Sequence, residues 1–402
     1  MMQTLSIAGA GIAGLATALS AQRAGWQTEV FERAAVLSEV GAGVQLGPNV
    51  TRLLRDWGLD DALRAVAVQP VRLRARSVSS GDVVAQLDLQ QLSQRYGAPY
   101  VTIHRADLHQ LLQGAARQAG AVVHLGSSVL SMQNESDGVA VQSMQSGHRK
   151  LHHAQAGVVA DGVWSALRQQ LLGDGAPRVS GHLAYRAMLA THEVPPALRT
   201  SEVTVWMGQR VHVVCYPVCA GERFNVVCLS EGQMPDIGVD ALQDWNAQKT
   251  PQQTRADLAA ALRGACQPLR ELVAACSDWR LWPLCDRPPV QGPHQQAQGR
   301  LALVGDAAHP MRPYLAQGAG MAIEDAWALG EQLKLASTSD VPARLLQYAS
   351  NRWQRNARVQ ARAIRNGEIF HAVGPVRWGR DLGLRLLGAR LMDVPWLYAY
   401  QA

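Results

Sequence analysis

The chain has 402 residues, of which 48% are hydrophobic and 17% charged, so it can bury one large core or two to three smaller ones and is not mainly disordered. Lys+Arg total 38 against 32 for Asp+Glu, a formal net charge of +6, a balance that would suit a polyanion or a membrane surface. Only Lys150, Lys249 and Lys334 are lysines, and the arginines are scattered along the chain, which points to composition, with anion binding at a few sites only.

No stretch approaches the roughly 18 unbroken apolar residues that a membrane span needs. The first apolar run begins by Leu5 with no basic leader ahead of it, so a cytoplasmic location is expected. Leu5 to Ala8 reads as a buried strand, and the turn Gly9-Ala10-Gly11-Ile12-Ala13-Gly14 leads into a helix over Leu15 to Ala21. A second strand, Thr28 to Phe31, ends at Glu32. Strand, Gly-rich turn, helix, strand and acid together make the dinucleotide fingerprint. Gly9 permits the tight turn, Gly11 lets the backbone approach a pyrophosphate, and Gly14 lets helix and strand pack closely. The helix N-terminus offers unpaired N–H groups to phosphates. Glu32 lies 18 residues beyond Gly14, where a carboxylate can accept hydrogen bonds from an adenosine ribose. The fingerprint alone does not choose between NAD and FAD.

Further along, Gly41-Ala42-Gly43-Val44-Gln45-Leu46-Gly47 is a second Gly-rich stretch, followed by a helix from Val50. Arg105 opens another helix, and its guanidinium suits a pyrophosphate or a flavin carbonyl, with a surface pair to Asp107 as the alternative. Val159 to Ser165 carries the pair Asp161-Gly162. Strand alternation over His212-Val213-Val214-Cys215-Tyr216 puts His212, Val214 and Tyr216 on one face, where His212 and Tyr216 can share a pocket wall. All six cysteines lie between Cys215 and Cys285 with no CxxC pair, so reduced core thiols and no metal site are expected.

Leu301 to Val304 reads as a buried strand running into Gly305-Asp306, which places the Asp306 carboxylate at a strand's C-terminal end beside a cofactor crevice. Gln317-Gly318-Ala319-Gly320 then opens a helix carrying Glu324, Asp325 and Trp327. Near the end, Arg352, Arg355, Arg358, Arg362 and Arg365 fall on one broad side of a helix, opposite Trp353, Ala357, Ala361 and Ile364. A solvated face or subunit contact is expected there, not a nucleic-acid surface.

Three of these motifs, the turn at Gly9 to Gly14, Asp161-Gly162 and Gly305-Asp306, carry a resemblance over nearly the whole chain. The sequence resembles the single-component FAD-dependent aromatic hydroxylases with the p-hydroxybenzoate hydroxylase fold, and within them looks similar to salicylate hydroxylase, 3-hydroxybenzoate 6-hydroxylase and 6-hydroxynicotinate 3-monooxygenase. Val159 departs from the glycine usual in the family at that place. The resemblance implies an α/β chain with a discontinuous Rossmann-like FAD-binding domain over roughly 1–70, 101–176 and 280–345. A mixed β-sheet substrate domain would be inserted as 71–100 and 177–279, with a helical segment over 346–402.

It also implies FAD as resident cofactor, NADH or NADPH as transient electron donor, O2 and a small hydroxylated aromatic acid as co-substrates, and oxygen transfer from a flavin C4a-hydroperoxide. A monomer or homodimer is expected, without nucleic acid or membrane. By resemblance Gly9, Gly11, Ala13, Gly14, Glu32, Arg33 and Val129 border the adenosine half, and Arg105 and Asp161 the middle. Asp306 meets the ribityl hydroxyls, and Gln45, Gly318 and Ala319 the flavin ring. His212 is the candidate base that removes a phenolic proton, Tyr216 relays a proton or orients the hydroxyl, and Tyr314 lies above the flavin's reactive edge. Pro313-Tyr314 leans towards a salicylate-type pocket. Arg186 or Arg312 could pair with a substrate carboxylate. An NAD-dependent Rossmann dehydrogenase would leave Asp161-Gly162 and Gly305-Asp306 without a purpose, and a non-catalytic flavin-binding protein would leave His212 and Tyr216 without one.

Overall fold

The computed structural model describes residues 3–37, 42–232 and 249–401. Gly41 of the second Gly-rich stretch lies outside the described residues. Thr4–Ala8 is a strand buried on both faces, as an uninterrupted apolar run in a parallel sheet must be. It is the hub of a six-stranded sheet: Gln27–Phe31 and then Val122–His124 lie on one side, and Ala156–Val159 and Leu301–Leu303 on the other, all parallel. A short antiparallel edge, Ala297–Gln298, closes the order. The helices Ile12–Arg23 and Gly318–Leu333 pack on this sheet and against one another.

A seven-stranded mixed sheet forms the second layer. Its order is Arg280–Asp286, Arg178–Ala190, Arg223–Glu231, Val211–Val218, Glu202–Met207, Arg72–Ser77, Val83–Asp88. All neighbours are antiparallel except Glu202–Met207 with Arg72–Ser77. One expected boundary moves: Arg280–Asp286, assigned from sequence to the flavin domain, pairs with Arg178–Ala190 in this sheet. It forms an edge of this sheet, a place fixed by its partner strand and not by its own residue pattern. The strand alternation is as expected. Val213 and Cys215 enter a core with Tyr185, Trp206, Val226 and Cys228, covered by the helices Pro251–Ala261 and Gln267–Ala275. Burial pushes the Cys215 and Cys228 thiols up to about 12, so they remain inert core thiols. His212, Val214 and Tyr216 face the opposite way, towards the flavin-type layer.

A two-stranded ribbon, Gly43–Leu46 with Val101–His104, joins the layers. Thr102 Oγ1 donates to Pro217 O at 2.6 Å, and Gly43 N–H donates to Asn225 Oδ1 at 2.8 Å. The helix Val341–Phe370 then runs along the flavin-type layer, and no described helix is long and apolar enough to cross a membrane.

On this long helix the basic strip is only partly the solvated face expected: Arg358 and Arg365 are exposed, but two of its arginines turn inward. Arg352 is fully buried and Arg355 nearly so, whereas Ala361 on the supposedly inner side is exposed. Arg352 donates through Nη1 to Glu324 (2.8 Å) and through Nε to Asp325 (2.9 Å), and Arg355 donates through Nε to Glu324 (2.6 Å). Two carboxylates on the neighbouring helix thus draw two arginines inward. Burial alone would lower the Arg352 pKa, but Glu324 and Asp325 override it and raise it. Removing one partner leaves buried charge uncompensated, so Arg352→Met is expected to cost about 3–5 kcal/mol of stability, measured by denaturant unfolding. An unchanged midpoint would show that the network is not what holds the two helices.

Candidate active site

The glycine turn is shaped by contacts that no side chain fits. Gly9 has φ +100°, and a Cβ on Gly14 would stand 1.9 Å from Gly9 O. A Cβ on Gly11, by contrast, would meet no protein atom within 4 Å, so Gly11 presents bare backbone to the space in front of the helix. Gly9 N–H donates to Phe31 O at 2.8 Å, and His109 Nε2 bonds Ala10 O at 2.6 Å. Glu32 holds the same turn, accepting from Ala10 N–H at 2.8 Å and from Ala34 N–H at 2.9 Å. Each carboxylate oxygen keeps a further lone pair for a ribose hydroxyl. Ala13 supports the neighbouring strand end, since its Cβ lies 2.8 Å from where a Cβ on Gly305 would be.

Arg33 is exposed at the end of its strand, close enough to Asp161 to lower that carboxyl. Asp161 is nonetheless raised by burial, and among the described residues its buried Oδ1 has no hydrogen-bond partner. Val129, on Ser127–Asn134, packs against the apolar cluster that includes Ala8 and Val159, and Ser127 N–H donates to Glu32 O at 2.8 Å.

Asp306 sits in the short turn after Leu301–Leu303, reachable by solvent but crowded by protein, as in a deep crevice. Burial raises its carboxyl, and His309 and Arg105 pull it down. The turn is fixed from behind: Asp325 accepts from Gly305 N–H (3.0 Å) and His309 Nε2 (2.5 Å). Glu324 accepts from Asn49 Nδ2 at 2.7 Å, and Asn49 also donates to Gln317 Oε1 at 3.2 Å. This acid pair therefore anchors both the Asp306 turn and the start of the Gly318–Leu333 helix. The backbone amides of Gly318 and Ala319 belong to the first turn of that helix, which lacks intrahelical acceptors, and a Cβ on Gly318 would meet nothing. Sequence placed Glu324 and Asp325 on this helix but assigned a role neither to them nor to Asn49 and His309. Two acids inside an otherwise apolar helix were the available signal.

An orphaned buried oxygen on Asp161, bare backbone at Gly11 and Gly318, and a crevice carboxyl at Asp306 form a polar cradle. It fits a dinucleotide whose ring lies against small residues.

Facing this cradle is one face of the large sheet. Its register aligns Met188, Asn225 and Tyr216 in one row, Arg186, Val227 and Val214 in the next, and Ala184, Leu229 and His212 in the third. Gln45 reaches in from the ribbon, accepting from Tyr100 OH at 2.6 Å and bonding the Tyr216 hydroxyl. The ribbon can lie so close because a Cβ on Gly43 would stand 2.5 Å from the Tyr216 ring. Arg186 stacks on Trp282, 4.8 Å from its centroid, and among the described residues it pairs with no carboxylate. Burial lowers its pKa to about 10. Arg312, the other candidate anion partner, is already bound to Asp286 at 2.6 Å.

At the far row the chain assembles a cluster that sequence did not foresee. His212 is 1% exposed, and its Nδ1 lies 2.9 Å from His371 Nε2. Tyr314, 3% exposed, turns its hydroxyl onto His182 Nδ1, so it closes the cluster and holds His182 in place. Burial lowers His182 to about 4 and His371 to about 3, helped in turn by Arg312 and by His182 and Arg380. His212 is also held well below its ordinary value, by burial first and then by His371.

A Rossmann-type sheet with a polar crevice set against a mixed sheet bearing an arginine, tyrosine and histidine is the architecture of FAD-dependent aromatic-ring monooxygenases. The chain belongs to the FAD binding domain family, whose profile matches residues 1–363. It is 34% identical to 3-hydroxybenzoate 6-hydroxylase of Polaromonas naphthalenivorans (strain CJ2), over 98% of this chain and 95% of that one. It is 37% identical to 3-amino-4-hydroxybenzoate 2-monooxygenase PtnB3 of Streptomyces platensis, over 99% and 96%. The structure of Klebsiella pneumoniae HpxO complexed with FAD and uric acid superposes with a TM-score of 0.82 at 25% identity, covering 97% of this chain and 94% of that one. The protein is thus an FAD-dependent monooxygenase of aromatic substrates, and the dehydrogenase and non-catalytic alternatives fall away.

Two glycines separate folding from binding. Gly14→Ala is expected to lower the thermal midpoint of the apoprotein, and Gly11→Ala to leave it within about 1 °C while weakening FAD at least about ten-fold, because only the second Cβ enters ligand space. Equal behaviour of the two variants in melting and FAD titration would contradict this. The histidine cluster predicts a pH effect as well. A histidine whose folded pKa is lowered binds fewer protons folded than unfolded, so its contribution is complete above about 6.5 and declines as pH falls towards 4 and then 3. Stability measured by denaturation should therefore drop between pH 7 and pH 4 ~ the window set by these groups, with a flatter slope in His371→Gln; the same slope in the variant would exclude His371 from the effect.

Proposed function

We propose that the protein hydroxylates the ring of a small hydroxybenzoate. The observation that carries this reading is Arg186: a half-buried guanidinium that meets no acid partner among the described residues, lying on the same sheet face as His212 and Tyr216 and one register row from each. Ala184, Val214 and Val227 make a low apolar floor between these three groups. Adjacent strands are about 4.8 Å apart, so Arg186 stands about 10 Å across the sheet from Val214, a span its long stem and one aromatic ring can fill. A carboxylate on Arg186 would fix one end of the ring, leaving the ring hydroxyl to His212.

In this reading Gly9, Gly11, Ala13, Gly14, Glu32, Arg33 and Val129 hold the adenosine half of FAD. Arg105 and Asp161 serve its middle, Asp306 its ribityl chain, and Gln45, Gly318 and Ala319 its ring. When bound, FAD passes electrons from NADH or NADPH to O2 and so supplies the oxygen atom that enters the substrate. The residues of the chain do the rest. Arg186 binds the carboxylate, neutral His212 accepts the ring-hydroxyl proton through Nε2 and so raises electron density on the ring, and Tyr216, held by Gln45, orients the substrate. Tyr314 acts through His182. The layered cores on either side exclude water from the reacting atoms.

The two relatives described above act, by their names, on benzoates with a ring hydroxyl, which supports 3-hydroxybenzoate as the first compound to try. Pro313-Tyr314 keeps salicylate as the second. Oxygen uptake with NADH and with NADPH, across 3-hydroxybenzoate, 3-amino-4-hydroxybenzoate and salicylate with products identified, is the test. Hydroxylated product from one of them is expected, and its absence with all three would sink the reading. Arg186→Leu should raise KM for the acid about 10- to 100-fold, as loss of a charge-assisted bond does, and leave the corresponding amide unaffected. His212→Asn should cut coupled turnover about 100-fold or more, and full turnover in that variant would remove His212 as base.

A further inference from the structure

Behind His212 a second set of titratable groups leads away from the substrate face. The His212 and His371 rings are inclined by 61°, and the Nδ1 to Nε2 distance of 2.9 Å allows an N–H of one to point at the lone pair of the other. Among the described residues His371 Nδ1 is buried without a hydrogen-bond partner. It lies 3.8 Å from Glu231 Oε1, and the Glu231 side chain is 41% exposed whereas that of His371 is 2% exposed. A small rotation of the exposed carboxylate, or one bridging water, closes that gap. His182 is outside the line. Its ring stacks on His371 at 4.9 Å and 18°, so their in-plane lone pairs run in parallel planes, and its Nδ1 is engaged by Tyr314.

We propose that His371 and Glu231 form, with His212, a proton exit line that carries the ring-hydroxyl proton of the bound aromatic acid to bulk water. This rests on the hydroxybenzoate reading above. The starting tautomer has Nδ1–H of His212 directed at His371 Nε2, and Nδ1–H of His371 directed at Glu231. The substrate O–H bond breaks as an N–H bond forms at His212 Nε2, the Nδ1 proton of His212 passes to His371 Nε2, and the Nδ1 proton of His371 passes to the Glu231 carboxylate, which releases it to water. One proton enters and one leaves, both imidazoles are neutral before and after, and the negative charge stays on the substrate oxygen.

The surroundings favour passage over storage. His371 is faced by His182, His212, Tyr314, Arg312, Arg380 and Glu231, and by Arg210, which bonds His371 O through its N–H at 3.2 Å and pairs with Glu231 at 3.5 Å. Arg380 donates to Ile369 O and Phe370 O, so the negative end of the long helix, which would otherwise stabilise a protonated His371, is already taken. Burial and these cations hold His371 near 3, and a proton placed there moves on.

The test is stopped-flow mixing of the FAD-loaded enzyme, without NAD(P)H, with 3-hydroxybenzoate and separately with salicylate. The readouts are the ultraviolet band of bound phenolate and a pH indicator for the released proton. The wild type is expected to ionise the ligand and release a proton. His371→Gln should slow ionisation about ten-fold or more with the ligand Kd within about two-fold, a split that a merely structural role would not give. Glu231→Gln, at an exposed position that the fold tolerates, should slow proton release several-fold and recover as buffer concentration rises. Unchanged rates in both variants, with a wild type that ionises its ligand, overturn the exit line and leave the function standing. A wild type that ionises neither acid overturns both.

Discussion

The buried pairing of Glu324 and Asp325 with Arg352 and Arg355 is the constraint on which the rest of the site depends. Each ion costs several kcal/mol to desolvate, and the cost is offset only when every oxygen and N–H finds a partner. Here all four carboxylate oxygens do: Asp325 accepts from Gly305 N–H, His309, Arg352 and Asn356, and Glu324 from Asn49, Arg352 and both ends of Arg355. Arg355 in turn reaches the carbonyls of Trp396 and Leu397 at 3.0 Å. One acid pair therefore fixes the Asp306 turn, the start of the Gly318–Leu333 helix, the long helix and the chain's last segment in a single arrangement. Asp325 is held far below the usual carboxylate range, because His309 and Arg352 outweigh the burial that would raise it, and the network stays charged.

A second constraint is the pleat of the large sheet. Because successive side chains alternate, one strand, Val211–Val218, supplies Val213 and Cys215 to a sealed core and His212, Val214 and Tyr216 to the cofactor side. Register then decides which residues of the neighbouring strands join them, and Arg186 arrives in the row of Val214. The ribbon Gly43–Leu46 with Val101–His104 brings Gln45 from the flavin layer onto Tyr216, so the two layers meet through hydrogen bonds as well as packing.

Local patterns were legible where physics acts over a few residues. The turn at Gly9 to Gly14 and the acid at Glu32 are read from spacing, and so is the alternation around His212. Patterns failed where a distant partner decided. The arginine strip on Val341–Phe370 read as solvated, since charge on a helix face normally is. Only the two acids on another helix make its inner side the Arg352 side. Arg280–Asp286 likewise joins the substrate-side sheet because Arg178–Ala190 offers it an edge.

The sequence by itself determined that a dinucleotide is bound and where the nucleotide end of the fold lies, because a phosphate-binding turn is a contiguous backbone device whose glycines and acid must sit at set offsets. Tertiary structure alone decided which of the two candidate arginines meets no carboxylate among the described residues, Arg186 and not Arg312, and which groups stand behind His212. His182 and His371 are separated from it by 30 and 159 residues along the chain, and no local spacing rule connects them. Ion pairing and burial are set by whatever the fold brings within a few ångströms, and that information is not carried by any one segment.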